Sequence, residues 1–127
     1  IRRSGGVSPR EWMKIYCASK INIVIHFQDG LVPCFQASPK VFEIMACKGF
    51  ALCDDQKDVK VLFQEGRHIV LFKDKKDLRE KIRYYLTNEQ ERCLIAQEGF
   101  DEVVARHKYS DRLKYMLDII TDKARII

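Results

Sequence analysis

Three short apolar runs, each separated from the next by a helical pattern, constrain the fold most strongly. The runs are Ile21–Phe27, Phe50–Cys53 and His68–Phe72. Continuous apolar runs of this length are typical of strands buried on both faces of a parallel sheet. Strand and helix alternate three times, and helical patterns then continue to the end of the chain. This alternation predicts an α/β, Rossmann-like fold, in which a parallel sheet lies between two layers of helices.

Three strands are few for a doubly wound sheet. We therefore expect residues 1–127 to form a single domain that is the later part of a Rossmann-like domain with a helical C-terminus. Residues 1–7 are expected to be frayed or to be the remnant of an earlier strand.

Cap and stop residues predict where the helices begin and end. The predicted caps are Ser8 (in a capping box with Glu11), Ser38, Asp54 or Asp55, Asp74, Asn88 and Ser110. Gly49 and Gly66 are predicted to end helices, because glycine readily adopts the left-handed conformation found there. Gly99 lies within a helical pattern and predicts either a break or close packing.

Composition limits the classes of function. The net charge is +5, but the basic residues are mixed with acids, so we expect a solvated surface and no nucleic-acid partner. No apolar run has the length of a membrane span, and the first residues lack the apolar region of a secretory signal, so we do not expect secretion. The five cysteines form no C-x-x-C pair and no cluster with histidine. Their odd number indicates a reducing compartment, so we predict a cytoplasmic protein without a metal site.

Ligands of open α/β sheets bind at the carboxyl ends of the strands. The longest predicted loop, residues 28–37, follows the first strand and leads into the helix that begins with Ser38 and Pro39. A helix N-terminus attracts phosphate, and Lys40 adds a cation there. Glu43, one turn further, suits the vicinal hydroxyls of a ribose. These residues together predict a nucleotide site.

Each candidate residue also has a structural interpretation. Ser38 serves as a cap whether or not it binds a ligand, and Lys40 and Glu43 are compatible with a solvent-facing surface. His26 ends a buried strand, so it is either a hydrogen-bonded core imidazole or a residue of the site. His68 and His107 are expected to be structural or exposed.

The helix sequence Ser38–Phe50 resembles the donor-site helix of GT-B glycosyltransferases. It is most similar to group 1-like, spore-maturation-type enzymes, whose pattern is R-x-F-E-x-x-A-C-G-x-x-x-x-x-D. The resemblance continues through Val61–Gly66 (E-L-F-x-x-G in the family), through Phe72–Leu78 (Y-x-D-x-x-E-L) and through His107–Arg112 (H-T-Y-x-x-R). Matching segments span roughly residues 12–120 in the family's order.

This resemblance implies two Rossmann-like domains facing a cleft, with the nucleotide-sugar donor bound by the C-terminal domain, to which this chain corresponds. It implies a UDP- or GDP-type donor without a metal or other cofactor, and an acceptor that is a glycan, a protein or a small molecule. The predicted donor-binding residues are His26, Ser38, Pro39, Lys40 and Glu43. Catalytic residues are not assigned, since the missing N-terminal domain normally supplies them, and the chain alone is not expected to be active.

The sequence departs from the family pattern at three positions. Lys40 replaces the usual Arg, which keeps the charge but loses the bidentate fork. Lys48 is either an insertion before Gly49 or a substitution of the usual Gly. Phe35 stands where many relatives have a further acid, eight residues before Glu43. The alternative interpretation is therefore a non-catalytic α/β interaction module that has lost the donor site; the preferred one is a bacterial glycosyltransferase.

Overall fold

The computed structural model of the chain describes residues 8–26 and 37–124 and confirms an α/β fold. The helices are α1 (Pro9–Ala18), α2 (Pro39–Ala46), α3 (Lys57–Leu62), α4 (Lys75–Thr87), α5 (Glu89–Arg106) and α6 (Tyr109–Ala124). The strands are β1 (Asn22–Val24), β2 (Ala51–Asp54) and β3 (Val70–Phe72). Predictions for residues 1–7, and for the loop before Ala37, lie outside the described residues.

The described strands form one parallel sheet in the order β1-β2-β3. Alternate residues of β2 point to opposite faces, as the pleat requires. Ala51 and Cys53 pack with residues of α2, α3 and the C-terminal half of α5, whereas Leu52 packs with residues of α4 and the N-terminal half of α5. Helices therefore cover both faces, which confirms a partial Rossmann-like arrangement of three layers.

The first strand is less buried than the sequence predicts. Of the run Ile21–Phe27, only Asn22–Val24 forms a strand, and Phe27 is not described. Ile23 and Ile25 are 46% and 70% exposed. The prediction of burial on both faces is wrong here because β1 is an edge of the described sheet. On the face to which Ile23 points, the buried core residues of the sheet belong to β2, to β3 and to the residue just before β2. None of these described residues belongs to β1.

Helix α2 begins as predicted and ends differently. Ser38 is the N-cap and its hydroxyl accepts from the Lys40 amide at 3.3 Å, with Pro39 in the first turn. At the other end Lys48, not Gly49, has the left-handed conformation (φ 56°). The amides of Lys48 and Gly49 donate to the carbonyls of Met45 and Ile44, which is the Schellman pattern.

Lys48 is therefore the left-handed residue that ends α2, and Gly49 is required for another reason. A Cβ atom on Gly49 would lie 2.9 Å from Asn22 Nδ2 and 3.0 Å from the Ile44 carbonyl oxygen. Helix α2 consequently packs close against the start of β1.

We predict that Lys48→Gly is more stable than Lys48→Ala by about 1 kcal/mol, because only glycine adopts the left-handed conformation without strain. Both variants lose the contact of the Lys48 ammonium with the Phe100 ring, whose centroid is 4.7 Å away, so their difference reports the backbone alone. Urea unfolding measures it. Equal stabilities would contradict the assigned conformation.

Gly99 is a site of close packing within an unbroken α5. A Cβ atom there would lie 2.5 Å from the backbone oxygen of His68 and 2.9 Å from Met45 Cε. The residue thus lets α5 lie directly against the segment that leads into β3 and against α2.

Gly99→Ala should lower the free energy of unfolding by about 2 kcal/mol, because overpacking against a backbone atom outweighs the better helix propensity of alanine. Ala105→Gly, at an exposed position of the same helix, is the control and should cost about 1 kcal/mol from propensity alone. Chemical unfolding followed by circular dichroism compares the two. A Gly99→Ala protein as stable as the parent would refute the close approach.

Several predicted helix boundaries are confirmed and others are wrong. The capping box at Ser8 and the Asp74 cap are present. Helix α3 is capped by Gln56 rather than by Asp54 or Asp55, and it ends at Leu62. Gly66 (φ 76°) lies in the turn before β3 instead of ending this helix.

Helices α5 and α6 also differ in detail from the sequence prediction. Asn88 is the N-cap of α5 but makes no side-chain cap hydrogen bond. Ser110 lies inside the first turn of α6, which begins at Tyr109. No helix of the described residues is sufficiently long and apolar to cross a membrane.

Candidate functional site

The start of α2 lies at the carboxyl edge of the sheet, where the predicted site was expected. Ser38, Pro39, Lys40 and Glu43 line a groove of about 500 Å³. The opposite wall comes from α1 and consists of Trp12, Ile15 and Tyr16. We call this the α1–α2 groove. It brings together every predicted donor residue except His26, and it adds two aromatic side chains that the sequence did not single out for the site.

Glu43 is exposed and faces this groove rather than the core. Its helical neighbours Val41, Ile44 and Met45 are the buried residues of α2, so the helical period places Glu43 on the outer side. Partial burial and then the nearby Glu43 carboxylate raise the pKa of Tyr16. The carboxylate thus lies near the Tyr16 phenol and remains accessible to a ligand.

The amides at the start of α2 are less available than the sequence suggests. Pro39 has no N–H, and the Ser38 amide donates to His26 Nε2 at 2.9 Å. The Lys40 amide donates to the Ser38 hydroxyl at 3.3 Å, and the Val41 amide to the Ser38 carbonyl at 3.0 Å. An anion at this end would therefore meet the helix dipole, the Ser38 hydroxyl and the Lys40 ammonium more readily than a free N–H.

His26 lies beneath the groove and does not line it. Its side chain is 1% exposed, and Nδ1 is 2.6 Å from Asp54 Oδ1. Because Nε2 accepts from the Ser38 amide, the ring is neutral with its proton on Nδ1. Of the two interpretations left open by the sequence, the structure thus shows the hydrogen-bonded core imidazole.

Asp54 is a residue of this region that the sequence reasoning assigned only to a helix cap. Gln56 Nε2 donates to its second oxygen at 2.7 Å. Burial alone would raise the pKa of Asp54, but the hydrogen bonds from His26 and Gln56 outweigh it and hold that pKa below its ordinary value. The signal that could have identified Asp54 is the final acid of the family pattern, with which it aligns.

The fold also brings Cys53 to this pair, although no cysteine–histidine cluster was expected from the spacing. Ligand atoms of His26, Cys53 and Asp54 lie within 4.8 Å of one another, which makes them a candidate metal group among the described residues. A metal on Nδ1 would have to displace its proton to Nε2, where the Ser38 amide already points. The donor set is therefore arranged for the His26–Asp54 hydrogen bond rather than for a metal.

A second groove, of about 470 Å³, lies on the other side of Glu43. Phe42 lines it and contacts both His107 (ring centroids 5.7 Å apart) and the Arg112 guanidinium, which is 4.8 Å from the Phe42 centroid. His107 also packs on Phe63, with centroids 5.0 Å apart. His107 thus packs against two aromatic rings, and the two ends of the His107–Arg112 motif contact the same ring of α2.

Burial lowers the pKa of His107 below its ordinary value, and the neighbouring Arg112 lowers it further. The unfolded chain therefore binds a proton at His107 at a higher pH than the folded chain does. The free energy of unfolding consequently falls as the pH is lowered through the ordinary pKa of histidine towards the pKa of His107 in the folded chain.

His107→Phe should reduce this loss, since phenylalanine keeps a ring against Phe42 and Phe63 but does not titrate. Unfolding by urea at pH 7.5 and pH 5.5, for parent and variant, measures the effect. The same dependence on pH in both proteins would contradict a neutral His107.

Comparison with known proteins identifies the family. The profile of a family described as glycosyl transferase-like matches residues 1–118. The chain therefore belongs to this glycosyl transferase-like family, which indicates a role in glycosyl transfer, with a sugar donor and an acceptor as partners. Neither the curated proteins nor the solved structures contain a significant match. The narrower spore-maturation-type assignment stays a prediction.

Proposed function

We propose that the chain is the donor-binding part of a GT-B glycosyltransferase and that the α1–α2 groove holds the nucleoside diphosphate of an NDP-sugar. The observation that supports this most is the meeting of Ser38, Lys40 and Glu43 with Trp12 and Tyr16 around one groove. Its volume of about 500 Å³ is in the range of small-molecule sites.

Each wall of the groove suits one part of the nucleotide. Trp12 and Tyr16 offer aromatic surface to a uracil or guanine base. The Glu43 carboxylate accepts hydrogen bonds from the two ribose hydroxyls. Lys40 and the Ser38 hydroxyl face the diphosphate at the positive end of α2.

Transfer of the sugar requires that the departing nucleoside diphosphate be stabilised as negative charge develops on it. A helix dipole and a cation perform this electrostatically, without a covalent intermediate on the protein. We propose that Lys40 and the dipole of α2 supply this stabilisation here without a metal ion. A preceding Rossmann-like domain of a bacterial, cytoplasmic enzyme would bind the acceptor and supply any catalytic base.

Trp12, the one tryptophan of the chain, gives a direct test. Adding UDP or GDP should change its fluorescence in a saturable way, and NMR titration should shift the amides of residues 37–45. Shifts confined to other segments, or none with either nucleotide, would refute the assigned site and favour the non-catalytic interaction module.

Glu43→Gln should weaken nucleotide binding about tenfold or more, because charge-assisted hydrogen bonds to the ribose become neutral ones. Its thermal stability should stay close to that of the parent, since Glu43 is exposed. Glu80→Gln, an equally conservative change at an exposed position of α4, is the matched control and should bind like the parent. A large loss of stability in Glu43→Gln would mean that this carboxylate is structural.

A further inference from the structure

We propose that His26 and Asp54 are positioning residues of the α1–α2 groove. Asp54 holds the His26 ring in one tautomer, and this ring holds the start of α2 in place. That the groove binds a nucleotide rests on the proposed function, whereas the tautomer and its hydrogen bonds do not.

Two hydrogen bonds define the tautomer. The Ser38 amide donates to His26 Nε2 at 2.9 Å, so this nitrogen carries no proton. The proton of the neutral ring is therefore on Nδ1, which donates to Asp54 Oδ1 at 2.6 Å. The His26 backbone amide donates to the same oxygen at 3.2 Å. Backbone and ring together fix the carboxylate in front of Nδ1.

The surroundings of the ring favour this state. Gln56 Nε2 holds the other oxygen of Asp54 at 2.7 Å. The further titratable group facing the ring among the described residues is the Cys53 thiol, whose sulfur is 3.8 Å from Nδ1. Burial raises the pKa of Cys53, so it stays neutral. A single carboxylate charge therefore lies beside Nδ1 and stabilises the proton there.

His26 acts through Ser38 rather than by contact with a ligand. The ring is buried beneath the groove, while Ser38, at which α2 begins, lines it. Without an acceptor at Nε2 the Ser38 amide would be a partly buried donor lacking its partner. The start of α2, and with it Lys40, would then shift relative to Trp12 on the opposite wall. The hydrogen bonds from Asp54 through His26 to Ser38 thus set the geometry of the groove.

The tautomer is measured first, on the ligand-free chain labelled with ¹⁵N. Long-range ¹H–¹⁵N spectra should show His26 protonated at Nδ1, and a ¹⁵N–¹⁵N coupling should connect Nε2 with the Ser38 amide. A ring protonated at Nε2, or no such coupling in the folded protein, would overturn the proposal whether or not the protein binds nucleotides.

Asp54→Ala removes the carboxylate, and it should transfer the proton to Nε2, abolish the coupling and weaken UDP binding about fivefold, as for loss of a helix cap. The matched control is Asp55→Ala, one residue further, whose carboxylate pairs with Lys60 rather than with His26. It should leave the tautomer and the affinity unchanged.

His26→Asn provides a second variant in case Asp54→Ala does not fold. Its amide lies near the position of Nδ1 but offers the Ser38 amide no acceptor at the position of Nε2. His26→Gln, whose longer side chain carries an amide oxygen to that position, is its control. The asparagine variant should bind UDP about fivefold more weakly than the glutamine variant.

The outcomes separate the two proposals. If the parent binds UDP while Asp54→Ala or His26→Asn, folded, binds as tightly as its control, the positioning role is overturned and the proposed function stands. If the parent binds neither UDP nor GDP, the proposed function fails and the donor-positioning role fails with it, although the coupling still reports the hydrogen bond.

Discussion

The hydrogen bond between the Ser38 amide and the His26 ring connects the parts of the molecule on which the site depends. His26 follows β1, Ser38 begins α2, and Asp54, which fixes the ring, ends β2. Three segments that are distant in sequence therefore meet at one buried imidazole. Because an unpaired donor or acceptor at this depth would cost about 1–3 kcal/mol, all three must meet together, and the edge of the sheet becomes a defined place for α2 to start.

Packing of α2 then decides which of its residues face a ligand. Val41, Ile44 and Met45 are buried against the sheet and α5, and Gly99 and Gly49 allow α5 and β1 to approach closely. Rotation of the helix is thereby fixed. Glu43 and Lys40 are left on the outer side, opposite α1, where a charged side chain keeps its hydration until a ligand replaces it.

The electrostatic character of the groove follows from this arrangement. Lys40 and Glu43 are the charged residues among those that the structure places in its lining, and the amides of the helix start are already engaged. One cation and one carboxylate separated by a helical turn suit a ligand with an anionic group and neutral hydroxyls. A nucleoside diphosphate has both, which is consistent with membership of a glycosyl transferase-like family.

Local periodicity and motifs were sufficient to predict the α/β class, the parallel order of elements, the cap at Ser38 and the grouping of Ser38, Lys40 and Glu43. Tertiary structure decided what depends on distant contacts. It placed the left-handed residue at Lys48 and brought Gly49 against Asn22 and Ile44. It left Ile23 exposed at an edge of the described sheet. It also brought Asp54 and Cys53 to His26 and Trp12 to Glu43. No spacing in the sequence encodes these last contacts, since each joins residues from separate elements of the fold.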